Sequence, residues 1–198
     1  MAEVHGLAGD DGGADSAVVL AEVGLATVWN VRGDPARASF VAEAGRVLAL
    51  PLPTEPNASA RDAGSALLWL GPRSWAYVTG ADASRADFDV ARAALNDAGG
   101  ALFDLSASYV AWRVSGAAAS RVLNRGCPLD LHPRSFPPGC CAQSLLGHIS
   151  ALFYRPDERA AFLVLVARSL AADAWRDLCA AAATDGYRVA PRASFGSA

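Results

Sequence analysis

Trp29-Asn30-Val31-Arg32-Gly33-Asp34-Pro35-Ala36 and Trp112-Arg113-Val114-Ser115-Gly116-Ala117-Ala118-Ala119 share the pattern W-x-V-x-G-x-x-A, 83 positions apart. In both, an apolar stretch reads as a strand, and the glycine releases the chain into a helix. Asp34-Pro35 offers an N-cap and first-turn pair for a helix over 35–45. Ser115-Gly116 opens a second helix over 117–125.

The correspondence extends outward from these two points. Residues 66–70, the turn Gly71-Pro72-Arg73-Ser74 and residues 75–79 read as a hairpin. So do residues 149–154, the turn 155–159 and residues 160–167. A helix follows each hairpin, over 84–98 and, with Ser169 as N-cap, up to 183; Leu95 and Leu178 again lie 83 apart. Each helix ends at a glycine-containing turn, Gly99-Gly100 or Asp185-Gly186, before a short apolar strand over 101–105 or 187–190.

Each half therefore reads strand, helix, irregular connection, hairpin, helix, strand. A unit of about 85 residues is small for an independent core, and two packed together serve better. The expected fold is α+β, a duplicated unit forming antiparallel-rich sheets covered by helices. Residues 21–105 would form the first half and 106–190 the second, packed on the first as one domain. Residues 1–20 would be a disordered or frayed acidic N-terminus, and 191–198 a tail. The proline-bearing connections, 51–62 and 126–141, are expected to be extended surface segments rather than strands in a sheet interior, and function should concentrate on them.

Composition narrows the function classes. Of 198 residues, 53% are hydrophobic and 19% charged, which provides for a substantial core. A net charge of -3 gives no reason to expect nucleic acid or an anionic membrane as partner. All 17 basic residues are Arg, which excludes a Schiff-base lysine and a P-loop lysine. The first residues carry Glu3, Asp10, Asp11 and Asp15 rather than a basic, then apolar, leader. The longest apolar run, 160–167, is too short to span a bilayer. A cytoplasmic location is expected, and four cysteines do not make a disulfide framework.

The segment 126–141, "GCPLDLHPRSFPPGCC", holds the densest chemistry. Cys127, His132, Cys140, Cys141 and the nearby His148 are sufficient in number for zinc, but no knuckle pairs them and three prolines separate His132 from Cys140. Packed apolar cysteines are the plainer reading. A Cys–His nucleophile is not enforced by anything in the spacing, and no G-x-S-x-G elbow supports a serine triad; Ser106 and Ser108 mark the entry into a strand. Gly6, Gly9, Gly12 and Gly13 lack the strand and helix a dinucleotide fingerprint requires. Arg121, Arg125 and Arg134 read as solvated or protein-contact residues. The prolines fix an extended backbone, which suits a loop that enters an interface at low entropy cost. The candidate contact residues are Cys127, Pro128, Leu129, Asp130, His132, Arg134 and Phe136.

From Leu102 onward the residues carry a family likeness. "LFDLSASYVAWRVSG" (102–116), "ASRVLNRGCPLDLHPRSFPPGCCAQSLL" (119–146) and "VARSLAADAWRDL" (166–178) resemble the gamma subunit of heterotetrameric sarcosine oxidase. "LWLGPRSWAYV" (68–78) and "LPLPTEPNAS" (50–59) fit as well, and the likeness spans about 21–189. More distantly, "FDLS", "V-x-G" and "PG…LLG-x-I" are similar to the folate-dependent aminomethyltransferases, the glycine-cleavage T-protein type. That family places a carboxylate just after a "GGI" turn; here Gly147-His148-Ile149-Ser150-Ala151-Leu152 puts Ala and Leu there, so no general acid or base can act from those positions.

The resemblance implies a non-catalytic structural subunit of a complex that oxidatively demethylates sarcosine to glycine, with formaldehyde or methylene-tetrahydrofolate and hydrogen peroxide as co-products. It implies a larger alpha-type subunit and further subunits as partners, no catalytic, cofactor-binding or metal-binding residues in this chain, and FAD, FMN, NAD and zinc on the other subunits. The alternative is a stand-alone folate-binding aminomethyltransferase-like module or enzyme.

Overall fold

Val18–Arg32 forms a single 15-residue strand, β1, in the computed structural model, which describes residues 17–81 and 87–195. Of the expected frayed N-terminus, residues 1–16 lie outside the described residues. Residues 18–20 are not frayed: they pair with Tyr187–Val189, and Val18 and Leu20 are fully buried. The strand takes part in two compact units. Among the described residues the first unit comprises 24–107, 139–142 and 194–195; the second comprises 17–23, 108–138 and 143–193. Compared with the expected boundaries, 21–23 falls in the second unit, and 106–107 and 139–142 fall in the first. For 21–23 the cause is register, since Val19 to Val23 pair with Ser115 to Ala111.

In the first unit, β1 is followed by α1 (Ala38–Leu48), β2 (Ser59–Arg61), β3 (Ser65–Gly71), β4 (Ser74–Gly80), α2 (Phe88–Asp97) and β5 (Ala101–Asp104). The strand order is β2-β3-β4-β1, with β5 on the other edge of β1, and every pairing is antiparallel. The hairpin closes at Gly71↔Ser74 around Pro72-Arg73, as the sequence predicts. The alternation of β1 aims Trp29 and Val31 at one face, where they meet Phe40, Ala44 and Leu48 of α1 and Leu95 of α2. Trp29 lies edge-on to Phe88, with ring centroids 5.3 Å apart.

Two local expectations need correction here. The first helix starts at Ala38 rather than 35, because Asp34 makes a turn: its carboxylate accepts the Ala36 N–H (3.1 Å) and its carbonyl the Arg37 N–H (3.0 Å). The connection 51–62 contains a strand, β2. Asp62 Oδ1 accepts the Gly64 and Ser65 N–H groups, turning the chain back so that Ser59 faces Leu68. The expected start of the second helix at 84 lies outside the described residues; the helix is capped by Asp87, whose side chain accepts the Val90 N–H at 3.0 Å.

The second unit repeats the plan: β6 (Tyr109–Ser115), α3 (Ala119–Asn124), β7 (Cys141–Leu146, begun in the first unit by Cys141 and Ala142), β8 (Ile149–Tyr154), β9 (Ala161–Ala167), α4 (Ala171–Ala183) and β10 (Tyr187–Val189). Its order is β7-β8-β9-β6-β1, with β10 parallel on the far edge of β1. Trp112 packs on Trp175 of α4, centroids 5.8 Å apart, and Leu178 is fully buried like its counterpart Leu95. The expected irregular connection is present over 126–140 and leads into strand β7, which matches β2, so the repeated order is strand, helix, strand, hairpin, helix, strand. Helix α3 begins two residues late because Gly116 turns the chain at φ +111°, bringing the Ala118 N–H onto the Ala17 carbonyl. A 3-10 turn over Arg168–Leu170 stands where Ser169 was expected to cap α4, and the expected tail contributes β11 (Ala193–Ser194), paired with β1. The α+β, antiparallel-rich fold covered by helices is as the sequence predicts. Among the described residues no helix is long and apolar enough to cross a membrane.

Candidate functional site

The loop after α3 is built on that helix. Asn124 forks onto it, Nδ2 donating to the Leu129 carbonyl (2.5 Å) and Oδ1 accepting the Leu131 N–H (3.2 Å). Ser120 Oγ donates to the Leu131 carbonyl at 2.7 Å, and Leu131 is fully buried. The chain then turns about Asp130: Oδ1 accepts the His132 N–H (2.9 Å) and Oδ2 the Ser135 hydroxyl (2.6 Å). Those two bonds, the hydroxyl first, hold the Asp130 carboxyl below its usual range. The His132 carbonyl accepts from both Ser135 and Phe136 N–H, and His132 Nδ1 accepts the Arg134 N–H at 3.2 Å. At the far end Arg155 Nη1 donates to the Phe136 carbonyl at 3.0 Å, while the Phe136 ring packs on Phe162.

This geometry sorts the candidate contact residues. Pro128, Asp130, His132 and Arg134 are exposed, and Leu129 is half-buried. Cys127 and Phe136 are interior residues of the second unit, 5% and 6% exposed, so neither side chain faces outward. The Cys127 N–H closes onto the Leu123 carbonyl and the ring of Phe136 fills the core, which accounts for both. Ser120, Asn124 and Arg155, whose side chains hydrogen-bond to the loop backbone, escaped the sequence reading; a buried arginine at the end of a strand leaves no sequence signal.

The cysteines are divided between the units, Cys140 and Cys141 in the first and Cys127 and Cys179 in the second. Cys141 belongs to the first unit, where its thiol faces the carbonyls of Ala58 (3.3 Å) and Trp69 (3.4 Å). Burial pushes that thiol up to about 12, the wrong direction for a nucleophile or a metal ligand. Among the described residues no three His, Cys, Asp or Glu side chains come together as a metal-holding group. Ser106 accepts the Val28 N–H and donates to Asp104, a turn at the entry to β6. The turn Gly147-His148 joins β7 to β8, and after it Ala151 and Leu152 are buried on the strand, so the position that would offer an acid offers methyl groups.

The doubled strand–helix–strand–hairpin–helix–strand plan defines an aminomethyltransferase-type fold. The glycine cleavage system aminomethyltransferase T from Bartonella henselae superposes with a TM-score of 0.63 at 15% identity, over 91% of this chain and 49% of that one. Within this class, a profile of the sarcosine oxidase gamma subunit family matches residues 32–184, and the chain belongs to that family. It is 35% identical over 154 residues to sarcosine oxidase subunit gamma of Corynebacterium sp. (strain P-1), covering 77% of this chain and 74% of that protein. The corresponding subunit from Arthrobacter sp. is 36% identical over the same shares. A chain of the heterotetrameric sarcosine oxidase from Corynebacterium sp. U-96, solved with pyrrole 2-carboxylate, superposes with a TM-score of 0.77 at 28% identity over 87% of each chain.

Proposed function

We propose that this chain is the gamma-type subunit of a heterotetrameric sarcosine oxidase, where it contributes to assembly and performs no bond-making step. The complex converts sarcosine, dioxygen and water to glycine, formaldehyde and hydrogen peroxide, or passes the one-carbon unit to tetrahydrofolate as methylene-tetrahydrofolate. Its direct partner is the larger alpha-type subunit, and FAD, FMN, NAD and zinc reside on the other subunits. The observation that carries this reading is the likeness to a chain of the heterotetrameric enzyme along 87% of both. The apolar Ala151 and Leu152 and the suppressed thiol of Cys141 support the non-catalytic part. Co-expression with the other subunits, followed by size exclusion and a visible spectrum, tests it. The chain is expected to co-elute with flavin absorbance and to be colourless and inactive alone. Elution apart from the flavoprotein overturns the reading, and tight calorimetric binding of tetrahydrofolate by the purified chain favours a stand-alone folate module.

A further inference from the structure

We propose that the crest of the 128–135 loop docks onto an acidic patch of the larger partner subunit, with Arg134 and His132 as its donors. The proposal deepens the subunit reading above and rests on it. The crest is preformed: the Asn124 fork and Ser120 fasten its beginning, and Arg155 and the Phe136 ring fasten its end. A loop held at both ends and stiffened by Pro128 and Pro133 loses little entropy on binding.

Its chemistry is one-sided. The one acid of the crest, Asp130, is consumed internally, each oxygen accepting a bond from the loop itself. His132 Nδ1 is also consumed as an acceptor, so the neutral ring carries its proton on Nε2, an exposed donor. Arg134 is exposed and forms no ion pair among the described residues, whereas Arg46, Arg73, Arg92 and Arg176 each hold an acid of their own. Behind the crest, Arg155 is only 4% exposed, donates to the Phe136 carbonyl, and leaves Nε without a partner among the described residues. On the helix that tethers the loop, Arg121 and Arg125 share the single acid Asp185. The surface therefore offers N–H donors over uncompensated positive charge. The side that complements it presents carboxylates.

The test uses the assembled complex carrying Arg134→Glu, Arg134→Gln or, as a control on an exposed helix face, Arg176→Glu. Dissociation on dilution is read by size exclusion, beside the thermal midpoint of each isolated chain. Arg134→Glu is expected to raise the apparent Kd by at least about tenfold, Arg134→Gln by less, and Arg176→Glu by under about twofold. Raising NaCl from about 50 to about 500 mM should weaken the wild-type complex more steeply than the Arg134→Gln complex. A wild-type complex that forms, with Arg134→Glu binding equally well and the salt slopes alike, overturns this proposal and leaves the subunit reading standing. If the wild-type chain does not assemble with the larger subunit, both fall. Should Arg134→Glu lower the midpoint of the chain itself, Arg134→Gln and the salt slopes decide.

Discussion

Thr27 on β1 stands directly opposite Thr79 on β4; both are sealed from solvent, and neither hydroxyl finds a hydrogen-bond partner among the described residues. A buried hydroxyl without a partner costs about 1–3 kcal/mol by protein mutational measures. Replacing either residue by Val keeps the branched shape and removes the orphaned oxygen. Thr27→Val and Thr79→Val should each raise unfolding stability by about 1 kcal/mol, read as a higher urea midpoint at unchanged slope. A fall of that size would mean that the hydroxyls are bonded to each other or to water.

Two glycines differ in how they fail. Gly116 sits at φ +111°, and a Cβ there would stand 2.4 Å from the Ala17 carbonyl oxygen, which is backbone and cannot swing aside. Gly147, at φ +61°, would bring its Cβ 2.8 Å from Asp177 Oδ2, the tip of a side chain that can rotate. Gly147→Ala should cost about 1–2 kcal/mol, the left-handed backbone penalty alone. Gly116→Ala should cost more than about 3 kcal/mol or prevent folding. Equal losses in a denaturation series would contradict the geometry.

The Cys141 thiol, pushed up to about 12 by burial, should be inert in the native chain. At pH 8 its thiolate fraction is about one in ten thousand, against roughly a quarter for an ordinary cysteine. Iodoacetamide followed by peptide mass spectrometry should leave Cys141 unmodified until denaturant is added, and Cys141→Ser should assemble into a complex with normal turnover. Rapid native labelling, or lost turnover in an intact complex, would restore a chemical role to this residue.

Arg121 and Arg125 bind the Asp185 carboxylate and hold its pKa below the ordinary value. A carboxyl depressed in the folded state stabilises above its unfolded pKa, near 4, and that contribution disappears as pH falls through the lower folded pKa. The stability gap between wild type and Asp185→Asn should be flat from about pH 5 to 8 and close on acidification. Urea midpoints from about pH 2 to 8 check it; a gap that widens in acid would reverse the sign.

The repeat was legible because its signals are local. A strand ending in glycine, a hairpin turn at Pro72-Arg73 and helices carrying Leu95 and Leu178 are each set by neighbours within a few positions. Strand β7 was not, since Cys141 to Leu146 bury residues at both ends without strict alternation and follow a proline-rich loop. Its membership of the sheet depends on β8, which the Gly147-His148 turn returns alongside it. The loop crest was legible through its prolines, yet what fastens it was not: a buried Arg155 reads in sequence as one more solvated turn residue. Cys127 and Phe136 misled for the converse reason, because a loop side chain can point inward only when a core exists to receive it.

The division of β1 bears on how the chain is made. Residues 18–23 leave the ribosome before the strands that flank them, β6 and β10, which lie at 109–115 and 187–189. At about 5–20 residues per second the second flank follows on the order of ten seconds or more later. Until then Val18 and Leu20, buried in the finished fold, keep an open edge where β10 will pair, even once β6 has joined their other side. A nascent chain of this design therefore carries a waiting apolar edge along 18–20, the kind of segment that a holding chaperone shields until residues 187–189 have been made.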